Sequence, residues 1–351
     1  MEEKKEIPGW LHLVPRPGFY VKNGKIKYVN QAAAALMILP GTEICDLIAV
    51  GLEEYEAIST GCLCLTLTIG GKPRGASVTP MEGGHLFLLE QESDTEEFRA
   101  LALASMELRM PLNNVLTLAE QLLADADEKS RAKTASLNRS LYQILRILGN
   151  MSDTGQITSG FRPEMQNISA CLAEVFEKAQ ILVAHTGIQL TYQGLAETVL
   201  GLVDVDQLER AVFNILSNAV KFTPKGGIIH ATLVRSGKRL RLTVTDNGGG
   251  IPEDAADTLF YRYLRQPGIE DSRYGLGLGM TLIRSVAANH GGTVLIDKCG
   301  GTRVTMTIAI RQSMDTTLRS PWKRPDYVGE RDHALVELSD CLPAELYDGT
   351  K

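Results

Sequence analysis

Hydrophobic and polar residues alternate in short segments along the first ninety residues of the chain. Such segments occupy residues 18–21, 24–30, 63–69 and 84–90, with glycines between several of them. A period of two is typical of strands that bury one face, and glycines favour tight turns between strands. The pattern predicts a small mixed α/β domain with an antiparallel sheet at residues 9–92.

From Phe98 onward the pattern changes to the spacing of a helix. Apolar positions recur at alternating intervals of three and four residues, as in the seam of a coiled coil; they are Phe98, Leu101, Ser105, Leu108, Leu112, Val115, Ala119 and Leu122. After a polar break at residues 125–129, the spacing returns at Leu137, Leu141, Ile144, Leu148 and Met151. Residues 94–156 are therefore predicted to form an antiparallel helical hairpin, and two hairpins would close a four-helix bundle in a homodimer.

Residues 160–312 combine helical and strand patterns with three polar or glycine-rich motifs. The helix predicted at 206–222 buries one apolar face and places Asn214, Asn218 and Lys221 on another. An alternating strand at 239–245 ends at Asp246, which precedes a glycine-rich turn. A second glycine run at 275–279 opens a helix and would leave amide groups free for an anion.

Each of these motifs alone has a plain structural explanation. A surface helix also carries polar residues, and a carboxylate before glycines is often only a turn. The three motifs in this order favour a nucleotide site over those explanations.

Composition and charge narrow the class of protein. The 351 residues carry a formal charge of −6 and no dense run of lysine and arginine, which argues against nucleic acid as the main partner. No apolar stretch approaches the roughly 18 to 20 residues that span a bilayer, so we expect no membrane span and a cytoplasmic location. The six cysteines lack the spacing of a zinc site and are expected to be reduced.

Residues 105–112 read Ser-Met-Glu-Leu-Arg-Met-Pro-Leu. This segment resembles the phosphoacceptor box of sensor histidine kinases, typically Ser-His-Glu-Leu-Arg-Thr-Pro-Leu, with Met106 at the histidine position. The family reaction needs an imidazole nitrogen to attack the γ-phosphorus of ATP, and a thioether cannot form that stable adduct. By the resemblance Glu107 would be the acid/base residue beside the acceptor; a solvated surface glutamate is an equal alternative.

The motifs of residues 161–310 resemble the Bergerat-type ATPase domain that histidine kinases share with DNA gyrase. The resemblance implies ATP and Mg²⁺ as cofactors, with Asn218 as the magnesium ligand, Lys221 on phosphate and Asp246 on the adenine amino group. It also implies nucleotide contacts from the remaining motif residues, which are Asn214, Gly248, Gly250, Arg265, Gly275, Gly277, Leu278 and Gly279.

The two ends of the chain carry weaker patterns. Residues 19–33 resemble the opening of a PAS domain, a sensory module common in this family. Residues 313–351 form a tail outside the resemblance, in which His333 to Leu338 could make one or two helical turns that dock on a partner or on the ATPase domain.

The sequence thus predicts an α+β multidomain protein with a PAS-like α/β domain, a helical hairpin that forms a dimeric four-helix bundle, and a Bergerat-type α/β sandwich ATPase domain. The favoured function is that of a degenerate histidine kinase that binds Mg-ATP, does not phosphorylate itself on histidine and regulates a partner, either a canonical histidine kinase or a response regulator. Two alternatives stay open: an active kinase that phosphorylates a histidine of a partner, and a nucleotide-dependent binding module without catalysis.

Overall fold

The computed structural model describes residues 11–90, 92–156, 161–250, 278–312 and 331–348, without the side chains of residues 92–99 and 153–156. Within these ranges, no helix combines the length and the apolar character needed to cross a bilayer. The described chain forms an amino-terminal α/β unit, a long helical hairpin, a second α/β unit and a short carboxy-terminal segment.

The amino-terminal unit is an antiparallel sheet with two short helices. Its elements are β1 (Gly18–Lys22), β2 (Lys25–Val29), α1 (Gln31–Ala35), β3 (Ile48–Val50), α2 (Leu52–Ala57), β4 (Cys62–Ile69), β5 (Lys72–Met81) and β6 (Gly84–Leu89). The strands follow the order β2-β1-β6-β5-β4, with β3 beside β4. Phe19 and Phe87 stack in its core with ring centroids 4.9 Å apart. The predicted strand segments therefore do form one sheet around an apolar core.

Two long helices, α3 (Glu92–Ala124) and α4 (Glu128–Gln156), form the hairpin. The predicted α3 seam divides between two environments. Ser105, Leu112 and Ala119 are buried within the chain, whereas Leu108, Val115 and Leu122 are exposed. On α4 the exposed apolar residues are Leu137, Ile144 and Ile147. Each helix thus packs one apolar stripe internally and leaves a second stripe uncovered in the single chain.

The second α/β unit contains a five-stranded sheet covered by helices. Its elements are β7 (Glu164–Asn167), α5 (Ile168–Ala184), β8 (Gln189–Gln193), β9 (Leu200–Val203), α6 (Val205–Phe222), β10 (Ile228–Ser236), β11 (Arg239–Asp246), α7 (Leu278–Asn289), β12 (Val294–Lys298) and β13 (Thr302–Ala309). The sheet order is β12-β13-β11-β10-β8, and β7 pairs with β9 separately. Apolar residues of α5, α6 and α7 pack with those of the sheet in one core. The unit is an α/β sandwich.

The two sheets join edge to edge. Strand β4 pairs antiparallel with β12, in the register Cys64 to Val294 and Cys62 to Ile296. Gly61 stands at this junction with φ +82°, where a Cβ atom would lie 2.2 Å from the carbonyl oxygen of Ile296. The described strands β1–β6, β8 and β10–β13 therefore form one continuous sheet of eleven strands. This junction was not predicted from the sequence.

The carboxy-terminal segment, residues 331–348, packs against α4 and α6. Its helix α8 (His333–Glu337) begins at Asp332, whose side chain accepts hydrogen bonds from the backbone of Ala334 and Leu335. Five apolar side chains of this segment are buried, namely Ala334, Val336, Leu338, Leu342 and Tyr347. Of the two docking surfaces considered for the tail, the structure shows the one within the chain.

Candidate functional site

One stripe of helix α6 carries the predicted polar residues. Asp204 begins the helix by accepting a hydrogen bond from the backbone N–H of Gln207. Asn214 is buried, while Asn218 and Lys221 are partly buried. Since these residues are spaced by four and three positions, they lie on one face of the helix. The stripe therefore places two amides and one amine in a row at the edge of the sandwich.

Asp246, at the end of β11, is held beside the end of α6. Its Oδ1 accepts hydrogen bonds from the N–H of Gly248 (2.8 Å) and of Thr302 (3.1 Å). Burial raises the pKa of this carboxyl, although the two backbone hydrogen bonds oppose the shift. Gly248 is close-packed as well, because a Cβ there would lie 2.3 Å from the carbonyl oxygen of Phe222. Only glycine lets the Asp246 loop approach the helix so closely.

The first turn of α7 lies against the same stripe. A Cβ on Gly279 would lie 2.8 Å from Asn214 Oδ1. Asn218 Nδ2 donates to Met280 Sδ at 3.4 Å. The glycine that opens α7 thus allows the helix start to contact the asparagines of α6, and its neighbour Leu278 is buried. Asn214, Asn218, Lys221, Asp246 and Gly279 come from three separate motifs and converge around α6.

The remaining predicted site residues lie partly within and partly outside the described part of the chain. Gly250 adopts φ +72°, a conformation that favours glycine. Arg265, Gly275 and Gly277 lie outside the described residues. Met106 is half exposed on α3, and Glu107 next to it is exposed.

The structure adds a buried ionic network that was not predicted. Glu337 of α8 is completely buried, with Oε1 3.3 Å from Arg210 Nε and Oε2 3.5 Å from Arg146 Nε. Arg146 belongs to α4, and its Nη2 donates to Asn214 Oδ1 at 3.2 Å. Asn214 Nδ2 lies 3.5 Å from Glu337 Oε2. Asn214 of α6 thus contacts both the hairpin and the carboxy-terminal segment.

Asp340 contacts the predicted phosphate lysine. Its Oδ2 lies 2.5 Å from Lys221 Nζ and also pairs with Arg146 Nη1. Burial alone would raise the pKa of Asp340, but the charges of Arg146, Lys221 and Arg139 outweigh it and lower that pKa. Asp340 is therefore an ionised carboxylate between two cations. The sequence offered one signal for this network, since Arg146 interrupts the apolar residues Leu145 and Ile147 of α4.

Comparison with known proteins agrees with this architecture. Residues 203–312 match the sequence model of the histidine kinase, DNA gyrase B and HSP90-like ATPases. Hybrid signal transduction histidine kinase D of Dictyostelium discoideum is 26% identical over 274 residues, which cover 70% of this chain and 18% of that protein. An uncharacterized sensor-like histidine kinase of Rhizobium meliloti is 27% identical over 276 residues, 72% of this chain and 52% of that protein.

Two further similarities have comparable extent. The sensor-like histidine kinase SenX3 of Mycolicibacterium smegmatis is 26% identical over 225 residues, 61% of this chain and 57% of that protein. Among solved structures, full-length ShkA in complex with AMPPNP has a TM-score of 0.49 and 24% identity, covering 61% of this chain and 46% of that one. The chain thus spans between a fifth and three fifths of the length of these curated relatives.

An ATPase-type α/β sandwich that follows a helical hairpin defines the class of the protein. Residues 203–312 belong to the histidine kinase, DNA gyrase B and HSP90-like ATPases, and the chain is similar in sequence to sensor-like histidine kinases over 61% to 72% of its length.

Proposed function

We propose that the protein is a signalling protein of the two-component type that binds Mg-ATP but does not phosphorylate itself on histidine. In this proposal residues 160–312 bind the nucleotide, residues 94–156 form a homodimer and residues 9–92 are a PAS-like sensory domain. Nucleotide state and dimer geometry regulate a partner, which is a histidine kinase or a response regulator. The observation that carries the proposal is the convergence of the three predicted nucleotide motifs around α6, in a chain with Met106 at the acceptor position.

The described residues have the chemistry that Mg-ATP requires. Asp246 is a buried carboxylate that can accept a hydrogen bond from the adenine amino group, and the glycine at 248 keeps the adjoining backbone close. Asn218 offers the hard amide oxygen that Mg²⁺ accepts, and Lys221 supplies a point charge for phosphate. Bound Mg²⁺ would neutralise phosphate charge, as it does in phosphoryl-transfer enzymes. Arg265, Gly275 and Gly277 remain predictions for the same site.

Two observations support the degenerate character and the dimer. The half-exposed residue at the acceptor position is Met106, whose sulfur is a weak acceptor without a proton to lose. The exposed apolar stripes of α3 and α4 provide a surface that a second hairpin could cover. Glu107 remains available beside the acceptor position as the predicted acid/base residue.

Titration calorimetry with Mg-ATP tests the nucleotide site. We expect binding by the parent protein and none by Asp246→Ala, because alanine removes the adenine acceptor and the partner of two backbone N–H groups, at about 1 to 3 kcal/mol for each lost hydrogen bond. Asp297→Ala is the matched control, since Asp297 is also a buried carboxylate but pairs with Arg303. Equal binding by parent and Asp246→Ala would contradict the adenine assignment.

Incubation with γ-labelled ATP, alone and with candidate kinases, then tests the reaction. We expect no label on the protein itself. Label on a histidine of the partner, dependent on Asn218, would replace the regulatory proposal with transfer in trans. Nucleotide binding with label on neither protein, and with no change in partner activity, would leave only a binding module.

A further inference from the structure

We propose that residues 331–348, here called the carboxy-terminal segment, regulate the nucleotide site by competing with the phosphates of ATP. The inference rests on the nucleotide site proposed above. In it, the Asp340 carboxylate occupies the position on Lys221 that a phosphate oxygen would take. Docking of the segment and binding of Mg-ATP therefore weaken each other.

The charges at the contact carry the first step of the argument. Lys221 Nζ lies 2.5 Å from Asp340 Oδ2, the distance of a strong charge-assisted hydrogen bond. Arg146, which pairs with the same oxygen, is itself buried. A phosphate that approached Lys221 would meet a negative charge in a partly buried site, where like charges repel strongly. The Asp340 charge therefore weakens the attraction of Lys221 for phosphate, although the ammonium group has three N–H donors.

Glu337 contacts α6 about two turns before Lys221 and extends the competition along that helix. Its carboxylate is completely buried and lies against Arg210, Arg146 and Asn214. Asn214 belongs to the same stripe as the proposed magnesium ligand Asn218 and touches the first turn of α7. The segment therefore contacts two of the three polar residues of α6 that the sequence assigns to nucleotide binding.

The docked segment is a specific packed structure. Arg139 Nε donates to the carbonyl of Ser339 at 3.1 Å, and Asn138 Nδ2 donates to that of Tyr347 at 2.9 Å. Tyr347 packs edge to face on Tyr142, with ring centroids 5.1 Å apart. Buried apolar side chains and hydrogen bonds to the segment's carbonyl groups fix its position on α4. This position places Asp340 beside Lys221.

The same contacts would couple nucleotide binding to the position of the hairpin. Asn138, Arg139, Tyr142 and Arg146 all belong to α4, whereas Lys221 belongs to α6. The segment thus bridges the two helices, and its release would remove the Asp340 link between them. In this way occupancy of the nucleotide site would change how the ATPase unit is held against the hairpin.

Calorimetry with Mg-AMPPNP tests the competition. If the docked segment closes the site, the apparent affinity for nucleotide is the intrinsic affinity multiplied by the fraction of molecules in which the site is open. We therefore expect Asp340→Asn, and a chain that ends at residue 330, to bind about tenfold more tightly than the parent. Glu345→Gln is the matched control, because it removes one charge from an exposed position of the same segment and should bind like the parent. Asp340→Asn keeps the apolar contacts, so it remains informative if the shortened chain does not fold.

Hydrogen exchange supplies the reciprocal test. Saturating Mg-AMPPNP should increase amide exchange across residues 331–348 in the parent protein. Unchanged affinity in Asp340→Asn, or unchanged exchange with nucleotide bound, would overturn the competition while the nucleotide site stands, and the segment would be a structural brace. Failure of parent, Asp340→Asn and shortened chain alike to bind nucleotide would overturn the proposed site and the competition together.

Discussion

At the scale of single residues, Met106 is the position at which this chain departs from the phosphoacceptor motif that it resembles. Met106 and Met110 lie one helical turn apart on α3, and both are exposed. With Leu103 they form an apolar stripe where the resembling motif carries a histidine and a threonine. The change alters chemistry at the acceptor without removing the helix that presents it, since α3 continues from Glu92 to Ala124.

Met106→His should therefore restore a trace of self-phosphorylation. Imidazole has a reference pKa of about 6.5 and is largely neutral near pH 7, so its nitrogen could attack phosphorus. We expect acid-labile, base-stable label from γ-labelled ATP on this variant. Met110→His is the matched control on the same stripe and should stay unlabelled. The label should vanish without Mg²⁺ or with Asn218→Ala; a Met106→His variant that binds ATP and remains unlabelled would show that the acceptor helix and the ATPase unit no longer meet productively.

Local motifs and distant partners differ in how well sequence predicts them. Asn218, Lys221 and Asp246 follow from short-range spacing, because a helix period or a strand end determines which way each side chain points. Glu337 and Asp340 do not, since their cationic partners lie more than a hundred positions earlier in the chain. Arg146 within an apolar run indicated that some buried partner exists, but no local pattern identifies which carboxylate it is.

At the scale of elements, the hairpin shows what a heptad pattern leaves open. Spacing predicted the apolar seam of α3 but not its division into an internal stripe with Leu112 and an exposed stripe with Val115. Both stripes repeat every seven residues, so the period alone does not decide which one the partner helix covers. Leu112, a position of the predicted seam, is already buried in the single chain. A charge there would unfold the hairpin instead of testing its association.

Charges on the exposed stripe give the cleaner test of the dimer. The double variant Val115→Glu and Ile144→Glu should convert a dimer to a monomer in light scattering at micromolar concentration. Its circular dichroism should remain helical, because both side chains are exposed within one chain. Leu39→Glu is the control, since Leu39 is an exposed apolar residue of the amino-terminal unit. A parent protein that is already monomeric, or a variant that still dimerises, would count against the bundle.

At the scale of the whole molecule, the edge pairing of β4 with β12 joins two units that sequence alone presents as separate. The alternation of β4 is typical of a strand. Nothing in the sequence pattern of β4 or β12, however, specifies which strand pairs with its edge. Two ion pairs, between Arg239 and Glu54 and between Arg284 and Glu90, also cross the junction. Backbone hydrogen bonds of β12 therefore connect the amino-terminal sheet directly to the ATPase unit.

Two glycine substitutions test whether this junction makes the units unfold together. Gly61 and Gly71 both have positive φ, at +82° and +77°, so alanine at either costs about 1 to 2 kcal/mol in conformational strain. Only at Gly61 would the new Cβ also collide with the backbone of β12, since space within 4 Å of that at Gly71 is open.

Calorimetric melting should then show one transition for the parent and for Gly71→Ala, with the variant shifted slightly downward. Gly61→Ala should lower the melting temperature further and separate the unfolding of the amino-terminal unit from that of the ATPase unit, because the collision forces the two edges apart. Equal shifts for the two variants, each with a single transition, would mean that the sheet junction contributes nothing to cooperativity. The ion pairs or the hairpin would then have to carry any coupling between the units.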